Sequence, residues 1–125
     1  MTNVERTVTG HVEDMHLTRV EHEGQFLTEP ELKARTGDSA RLAVRAGDVV
    51  LASGEPGTLS VRNVLQGTVA EIAEIKDAAF AIVSVEVGKT SLKARITRHA
   101  VAELELAPGS PVFALIKTAT FDRGL

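Results

Sequence analysis

The chain has 125 residues, no cysteine and a formal net charge of −3. The lack of cysteine excludes disulfides, thiol nucleophiles and thiolate metal sites, and the negative charge argues against a nucleic-acid surface, which normally carries a basic stripe. The four aromatic residues are all phenylalanine, so aliphatic side chains must fill the core. Without a long apolar run or the apolar core of a signal peptide, we expect a soluble, cytoplasmic chain.

The first half of the sequence predicts short strands around one short helix. Loose alternation over residues 8–15 and 17–23 predicts a strand pair. Residues 28–31, Thr-Glu-Pro-Glu, form a capping-box pattern with proline in the first turn, which predicts a short helix over residues 29–34. Two further strands are expected at residues 40–44 and 49–51, before a linker of turn-forming residues at 53–58.

The second half repeats this plan with clearer signals. Alternation and turn residues predict strands at residues 65–75, 80–87, 90–96 and 112–120. Between the last two strands, Thr97 has the position of a helix N-cap, and the predicted helix extends to Leu104. Pro108 and Gly109 then end the helical segment.

The two halves can be aligned. Gly10 aligns with Gly67 near the start of each half, and Gly37 aligns with Gly109 before the last strand of each half. Strand-rich halves with one short helix before the last strand predict an all-β fold with short helices, made of two OB-like β-barrel lobes from an internal duplication. We place the first lobe at residues 1–54 and the second at residues 55–125.

Enzyme chemistry finds no support in the sequence. The chain lacks the G-x-x-x-x-G-K-[ST] loop that ATP hydrolysis would require. No serine has an identifiable His/Asp arrangement for nucleophilic catalysis. His11, His16 and His22 fall within a dozen residues, but their spacing does not put them on one strand face. Without cysteine, these three and His99 predict no metal site.

The strongest motif lies at the centre of the chain, where residues 60–69 read SVRNVLQGTV. Together with ARIT at 94–97, VAEL at 101–104, LAPG at 106–109 and ALIK at 114–117, this segment resembles the molybdate-binding mop fold of the transport-associated OB (TOBE) family. Residues 41–52 resemble the segment that precedes this motif in ATP-binding subunits of molybdate ABC importers. The whole chain therefore resembles the C-terminal regulatory region of such a subunit.

This resemblance implies a ligand, a set of partners and a location. The ligand is molybdate or tungstate, with no further cofactor, bound at the interface of a homodimer formed by the barrel lobes. The other partner is the ABC ATPase domain of the same or a parent chain. The location is the cytoplasmic face of the membrane, which the chain would meet only through the transporter.

The resemblance also implies the residues of an oxyanion site. Ser60 and Arg62 match the family's hydroxyl and guanidinium positions, Lys117 matches a lysine on the last strand, and Thr97 matches a hydroxyl contributed by the other subunit. Three residues after that hydroxyl many molybdate-binding members have serine, whereas this chain has Ala100, so one donor is missing. The expected ligand-binding residues are Ser60, Arg62, Asn63, Thr97, Lys117 and Thr118.

These residue types suit a tetrahedral dianion, which offers acceptor oxygens and repels carboxylates. Arginine stays protonated and presents a rigid fork of donors, while lysine adds a movable charge. When Gly10 is aligned with Gly67, the motif residues Ser60, Arg62 and Asn63 correspond to Asn3, Glu5 and Arg6. A carboxylate at the cation position disfavours an anion, so we expect one binding motif per chain.

Three other functions remain to be compared with oxyanion sensing. A pure dimerisation or assembly module would bind nothing small, and Ala100 together with the missing motif in the first lobe favours it slightly. A free-standing molybdate-storage protein of the molbindin type would share the second lobe. OB-type nucleic-acid binding needs exposed aromatics and a cationic groove, which a chain without Trp or Tyr and with negative net charge does not offer.

Overall fold

A computed structural model describes the backbone of residues 2–12, 17–22, 25–30, 39–61, 63–116 and 120–122, and the side chains of residues 44–61 and 63–116. Over these residues the chain forms ten strands and one short α-helix, which confirms the predicted all-β class. The strands are β1 Thr2–Val12, β2 Leu17–His22, β3 Gln25–Pro30, β4 Ser39–Val44, β5 Val49–Ala52, β6 Asn63–Glu74, β7 Phe80–Val87, β8 Thr90–Thr97, β9 Pro111–Ile116 and β10 Thr120–Asp122. The helix is α1 Arg98–Glu103, and a 3-10 turn occupies Ala46–Asp48.

Two five-stranded antiparallel sheets share one topology. The first has the order β10-β4-β1-β2-β3 and the second the order β5-β9-β6-β7-β8. Each sheet therefore contains four strands from its own half of the chain and one edge strand from the other half. In the second sheet the edge strands β5 and β8 also approach each other, which curls the sheet towards a barrel.

β5 and β10 each join the sheet of the other half of the chain. This arrangement corrects one predicted strand and crosses the predicted lobe boundary. β5 pairs with β9, so Val49–Ala52 joins the second sheet although it precedes residue 54. The single strand expected over residues 112–120 is wrong, because β9 ends at Ile116 and β10 pairs with β4 in the first sheet. Local alternation cannot reveal this change of partner. The lobe limits at residues 1–54 and 55–125 remain predictions.

Strand registers correct the alignment of the two halves. Val4 pairs with Leu42, and Leu65 pairs with Ala114, so Val4 is the counterpart of Leu65 once Leu42 of β4 is aligned with Ala114 of β9. The register shift between Val8 and Gly10 then coincides with the one between Val69 and Glu71. The structural counterpart of Gly10 is therefore Glu71 rather than Gly67.

The expectation of one binding motif per chain depended on aligning the motif with residues of the first half, and the observed register changes that alignment. The structural counterpart of Asn63 is Thr2 instead of Arg6, and the counterpart of Glu5 is Gln66 instead of Arg62. The aligned glycines misled the sequence comparison, because identical residues in two halves need not occupy the same register position. One binding motif per chain therefore remains a prediction, but the alignment no longer supports it.

The helix predicted over residues 29–34 is wrong at its start. Glu29 pairs with Thr18 and Pro30 with Leu17, so β3 continues through the proposed capping box. β3 lies at the edge of the first sheet, where a proline without an N–H group is tolerated. Residues 31–34 lie outside the described part of the chain.

Aliphatic side chains fill the core of the second sheet. Its buried cluster, over the residues whose side chains are described, contains only valine, leucine, isoleucine and alanine, as the shortage of aromatic residues predicted. Leu65, Val83 and Leu92 are at most 1% exposed and come from three adjacent strands, β6, β7 and β8. Among the described residues no helix is both long and apolar enough to traverse a bilayer.

Candidate oxyanion-binding site

The central motif lies where the linker enters β6. Ser60 is exposed, Val61 is half-buried, and Asn63 begins β6 with only 1% of its surface exposed. The hydroxyl of Ser60 is therefore available to a ligand, whereas Asn63 is enclosed at the start of the strand. Arg62 lies outside the described residues.

The strand that leads to Lys117 runs directly beside this motif. Ile116, the last residue of β9, pairs with Asn63, the first residue of β6. Ile116 also pairs with Val49 of β5 on its other side, so β9 lies between two partners at this point. Lys117 and Thr118 follow Ile116 in the chain and lie outside the described part.

Thr97 lies at the opposite end of the same sheet. β7 runs antiparallel to β6, and β8 runs antiparallel to β7, so Thr97 pairs with Phe80 near the far end of β6. The adjacent Arg98 forms an ion pair of 3.0 Å with Glu74, the last residue of β6. β6 has 12 residues, which span roughly 35 Å. Thr97 and Asn63 therefore lie at opposite ends of β6, although the curled sheet brings β8 back to the 3-10 turn that precedes β5.

The hydroxyl of Thr97 caps α1, as predicted. The backbone N–H of Ala100 donates to Thr97 Oγ1 at 3.0 Å. Two N–H groups at this helix start already have acceptors, because Ala100 N–H donates to the cap and Arg98 N–H donates to Ala79 O at 2.8 Å. As an acceptor in the cap, the hydroxyl keeps its own proton for donation, so capping and ligand binding are compatible.

Sequence reasoning missed the residues that surround Thr97. Lys93, Arg95 and Thr97 are all exposed and alternate along β8, so they share its outer face. The guanidinium of Arg95 lies 5.4 Å from the centroid of the Phe80 ring. It also rests against Gly47 in the 3-10 turn, where an added Cβ would meet Arg95 Nη2 at 3.1 Å. The alternation over residues 90–96 was visible in the sequence and already indicated that these side chains share one face of the strand.

A cavity beside the central motif does not suit an anion. It encloses about 240 Å³ and is lined by Glu55, Pro56, Gly57, Leu59, Val61, Val64 and Phe113. Its lining side chains are apolar except for the carboxylate of Glu55, which would repel a dianion. In the part of the chain that the structure describes, no three His, Asp or Glu side chains are grouped to hold a metal ion.

The family comparison matches this half of the molecule. The model of the TOBE domain family matches residues 59–120. Residues 59–120 are a TOBE domain. The match begins at Leu59, just before the central motif, and includes all of β6 to β9. It leaves out β5, the strand that completes the second sheet.

Curated relatives extend the likeness over nearly the whole chain. The molybdenum import ATP-binding protein ModC 1 of Azotobacter vinelandii is 37% identical over 114 residues, which cover 91% of this chain and 32% of that protein. ModC of Yersinia pestis is 37% identical over 117 residues, covering 94% and 32%. ModC of Rhizobium meliloti is 34% identical over 119 residues, covering 95% and 33%. The chain thus spans about a third of the length of these relatives.

A solved structure gives the same fold. The crystal structure of the cytoplasmic molybdate-binding protein ModG with molybdate bound aligns with a TM-score of 0.81 and 28% identity. The alignment covers 96% of this chain and 92% of that one. Both sheets therefore have counterparts in ModG.

Proposed function

We propose that this chain is an oxyanion-binding regulatory domain, which senses molybdate or tungstate for the ATP-binding subunit of a molybdate importer. It acts without a cofactor and catalyses no reaction itself. The proposed ligand residues are Ser60, Arg62, Asn63, Lys117 and Thr118 of one chain and Thr97 of a second chain. The observation that carries the proposal is the pairing of Asn63 with Ile116.

This pairing supports a cluster of two cations. Arg62 precedes Asn63 and Lys117 follows Ile116, and consecutive Cα atoms are only about 3.8 Å apart. Each cation is thus one peptide bond from a paired residue at the same end of the sheet. Two positive charges held near each other repel, and a dianion between them turns repulsion into attraction. Exposed Ser60 adds a hydroxyl donor at this end.

The position of Thr97 at the opposite end of β6 from the central motif favours a site shared between two copies. Thr97 is at the other end of the second sheet, roughly 35 Å away along β6. A second copy could bring its Thr97 to the motif of the first, and a two-fold axis would then form two identical sites. Ligand binding would then depend on the relative position of the two chains, which gives the domain its regulatory property.

The proposed hydrogen-bond donors are sufficient for micromolar affinity. Charge-assisted hydrogen bonds contribute roughly 1.5–3 kcal/mol each. Three or four of them, after ordering costs, support a binding free energy of about −8 kcal/mol, which corresponds to micromolar affinity. Buried Asn63 fixes the start of β6, immediately after the proposed ligand Arg62 in the chain.

The relatives support a role for this activity in a transporter. The ModC proteins that match over most of this chain are named as molybdenum import ATP-binding proteins. By this likeness the partner is an ABC ATPase domain, and the site of action is the cytoplasmic face of the membrane. ModG, which matches over 92% of its length, favours a second candidate, a free-standing molybdate-binding protein of the cytoplasm. The alanine at position 100 favours a third, a dimerisation module that binds no anion.

Titration calorimetry tests the proposal. Molybdate and tungstate are added to the wild-type chain and to Arg62→Ala, with sulfate as a smaller dianion of equal charge. Arg98→Gln serves as the matched control, because this exposed arginine is already paired with Glu74. We expect micromolar binding by the wild type and the control, and loss of binding in Arg62→Ala. An absence of heat and of any melting shift with both metal oxyanions would refute oxyanion binding and leave the assembly module.

A further inference from the structure

We infer that Arg95 is an additional oxyanion ligand, which acts beside Thr97 from the same strand face. The inference rests on the proposed function and extends it to a residue outside the central motif. Arg95 and Thr97 are two residues apart on the outer face of β8. Residues so spaced on one face of a strand have Cα atoms about 6.5–7 Å apart. At this separation a long side chain can reach a small tetrahedral ion that is bound by its neighbour.

The direction of the Arg95 side chain supports this assignment. Its direct cross-strand partner is Ile82, whereas the partner of Thr97 is Phe80. The guanidinium nevertheless lies over the Phe80 ring, at 5.4 Å from its centroid. The side chain therefore leans along the sheet towards the row that contains Thr97.

The guanidinium is held in place and its charge is not neutralised by a described carboxylate. The Phe80 ring lies beneath it, and it occupies the space beside Gly47 that a Cβ would need, which reduces the entropy that an anion would cost on binding. Among residues 44–61 and 63–116, Arg98 forms an ion pair with Glu74 and the imidazole of His99 lies 3.6 Å from the Glu103 carboxylate, and neither contact includes Arg95. Arg95 and Arg98 are thus two exposed arginines near Thr97, of which only Arg98 is paired within these ranges.

Arg95 also explains how a site with Ala100 can hold an anion. The methyl group of Ala100 provides no hydrogen-bond donor, and its N–H group is engaged by Thr97. A guanidinium presents up to five N–H donors with a permanent charge. It can therefore replace a neutral hydroxyl in this half of the shared site.

The experiment compares molybdate affinity by calorimetry in the wild type, Arg95→Gln, Arg95→Lys and Arg98→Gln, together with the melting temperature of each variant without ligand. We expect Arg95→Gln to weaken molybdate binding about 10-fold or more. Arg95→Lys keeps the charge but loses the forked donors of the guanidinium, so its molybdate affinity should lie between those of the wild type and Arg95→Gln. Arg98→Gln removes the same charge at a similar position and should stay within about twofold of the wild type.

The outcomes separate this inference from the proposed function. If the wild type binds no molybdate, the proposed function fails and the inference fails with it. If the wild type binds and Arg95→Gln matches its affinity, only the inference is overturned, and a lowered ligand-free melting temperature would then show that Arg95 merely packs against the 3-10 turn. Equal losses in Arg95→Gln and Arg98→Gln would also overturn it, because they would indicate general charge rather than a ligand. If Arg95→Gln does not fold, the affinity of Arg95→Lys decides.

Discussion

Asn63 and Ile116 are paired residues at the point where β6 begins and β9 ends. Val49, from the first half of the chain, pairs with the same Ile116 from its other side. The proposed cation cluster is therefore built on three strands, one of which lies outside the TOBE match. Changes in β5 should consequently affect the stability of the second sheet.

Leu51→Ala tests this role of β5. Leu51 is 7% exposed and belongs to the core cluster of the second sheet, whereas the adjacent Val50 is 57% exposed. We expect Leu51→Ala to lower the free energy of unfolding by about 2–4 kcal/mol and Val50→Ala to change it by less than about 0.5 kcal/mol. Urea denaturation measures both. Similar small effects of the two variants would show that β5 is not part of this core.

Gly67→Ala probes the tight contact between β6 and β7. A Cβ at Gly67 would lie 2.6 Å from the backbone oxygen of Glu86 and 2.8 Å from Val85 Cγ1. The backbone oxygen cannot move away cheaply, so we expect a loss of about 1–3 kcal/mol in the free energy of unfolding. Gly57→Ala is the control, since nothing lies within 4 Å of its added Cβ. A fully stable Gly67→Ala variant would contradict this packing.

Thr97→Asp separates helix capping from ligand binding. Aspartate caps helices as well as threonine does and is favourable at a helix N-terminus, so the melting temperature of the ligand-free protein should be unchanged or higher. Its carboxylate would repel a bound dianion, and molybdate binding measured by calorimetry should be lost. Retention of wild-type affinity would remove Thr97 from the site and reduce it to a cap.

Ala100→Ser tests the missing donor. Ala100 is half-buried in the first turn of α1, close to the Thr97 hydroxyl that accepts from its N–H. A serine hydroxyl there should strengthen molybdate binding about three- to tenfold, the range expected for one added hydrogen bond. Ala102→Ser, at an exposed position of the same helix, should leave the dissociation constant unchanged. An unaltered or weaker affinity in Ala100→Ser would argue against this face of α1 as ligand-binding.

The strands of the second sheet were predictable because their signals are local. Alternation, turn residues and the N-cap at Thr97 together defined β6, β7, β8 and α1 to within a few residues. Sheet membership was not predictable, since β5 and β10 find their partners far along the chain, and alternation within a strand does not encode which edge it joins. The Thr28–Pro30 segment reads as a helix start but lies in β3 because pairing with β2 overrides a local capping pattern.

The candidate site was predictable from the sequence only through its motif. Ser60, Arg62 and Lys117 follow from resemblance, but the opposite positions of Ser60 and Thr97 require the antiparallel order of three strands. Arg95 could have been identified from its two-residue spacing to Thr97. The orientation of its side chain towards Phe80 could not be predicted, because that depends on how the 3-10 turn packs against β8.

The shared site is tested most directly by co-expressing Arg62→Ala and Thr97→Asp chains that carry different tags. Each variant alone should bind no molybdate. A dimer of one chain of each kind would hold one site with both changes and one site with neither, so binding should return to the isolated mixed dimer at about half the wild-type stoichiometry. A mixed dimer that binds no molybdate, although the wild type does, would contradict a site shared between two copies.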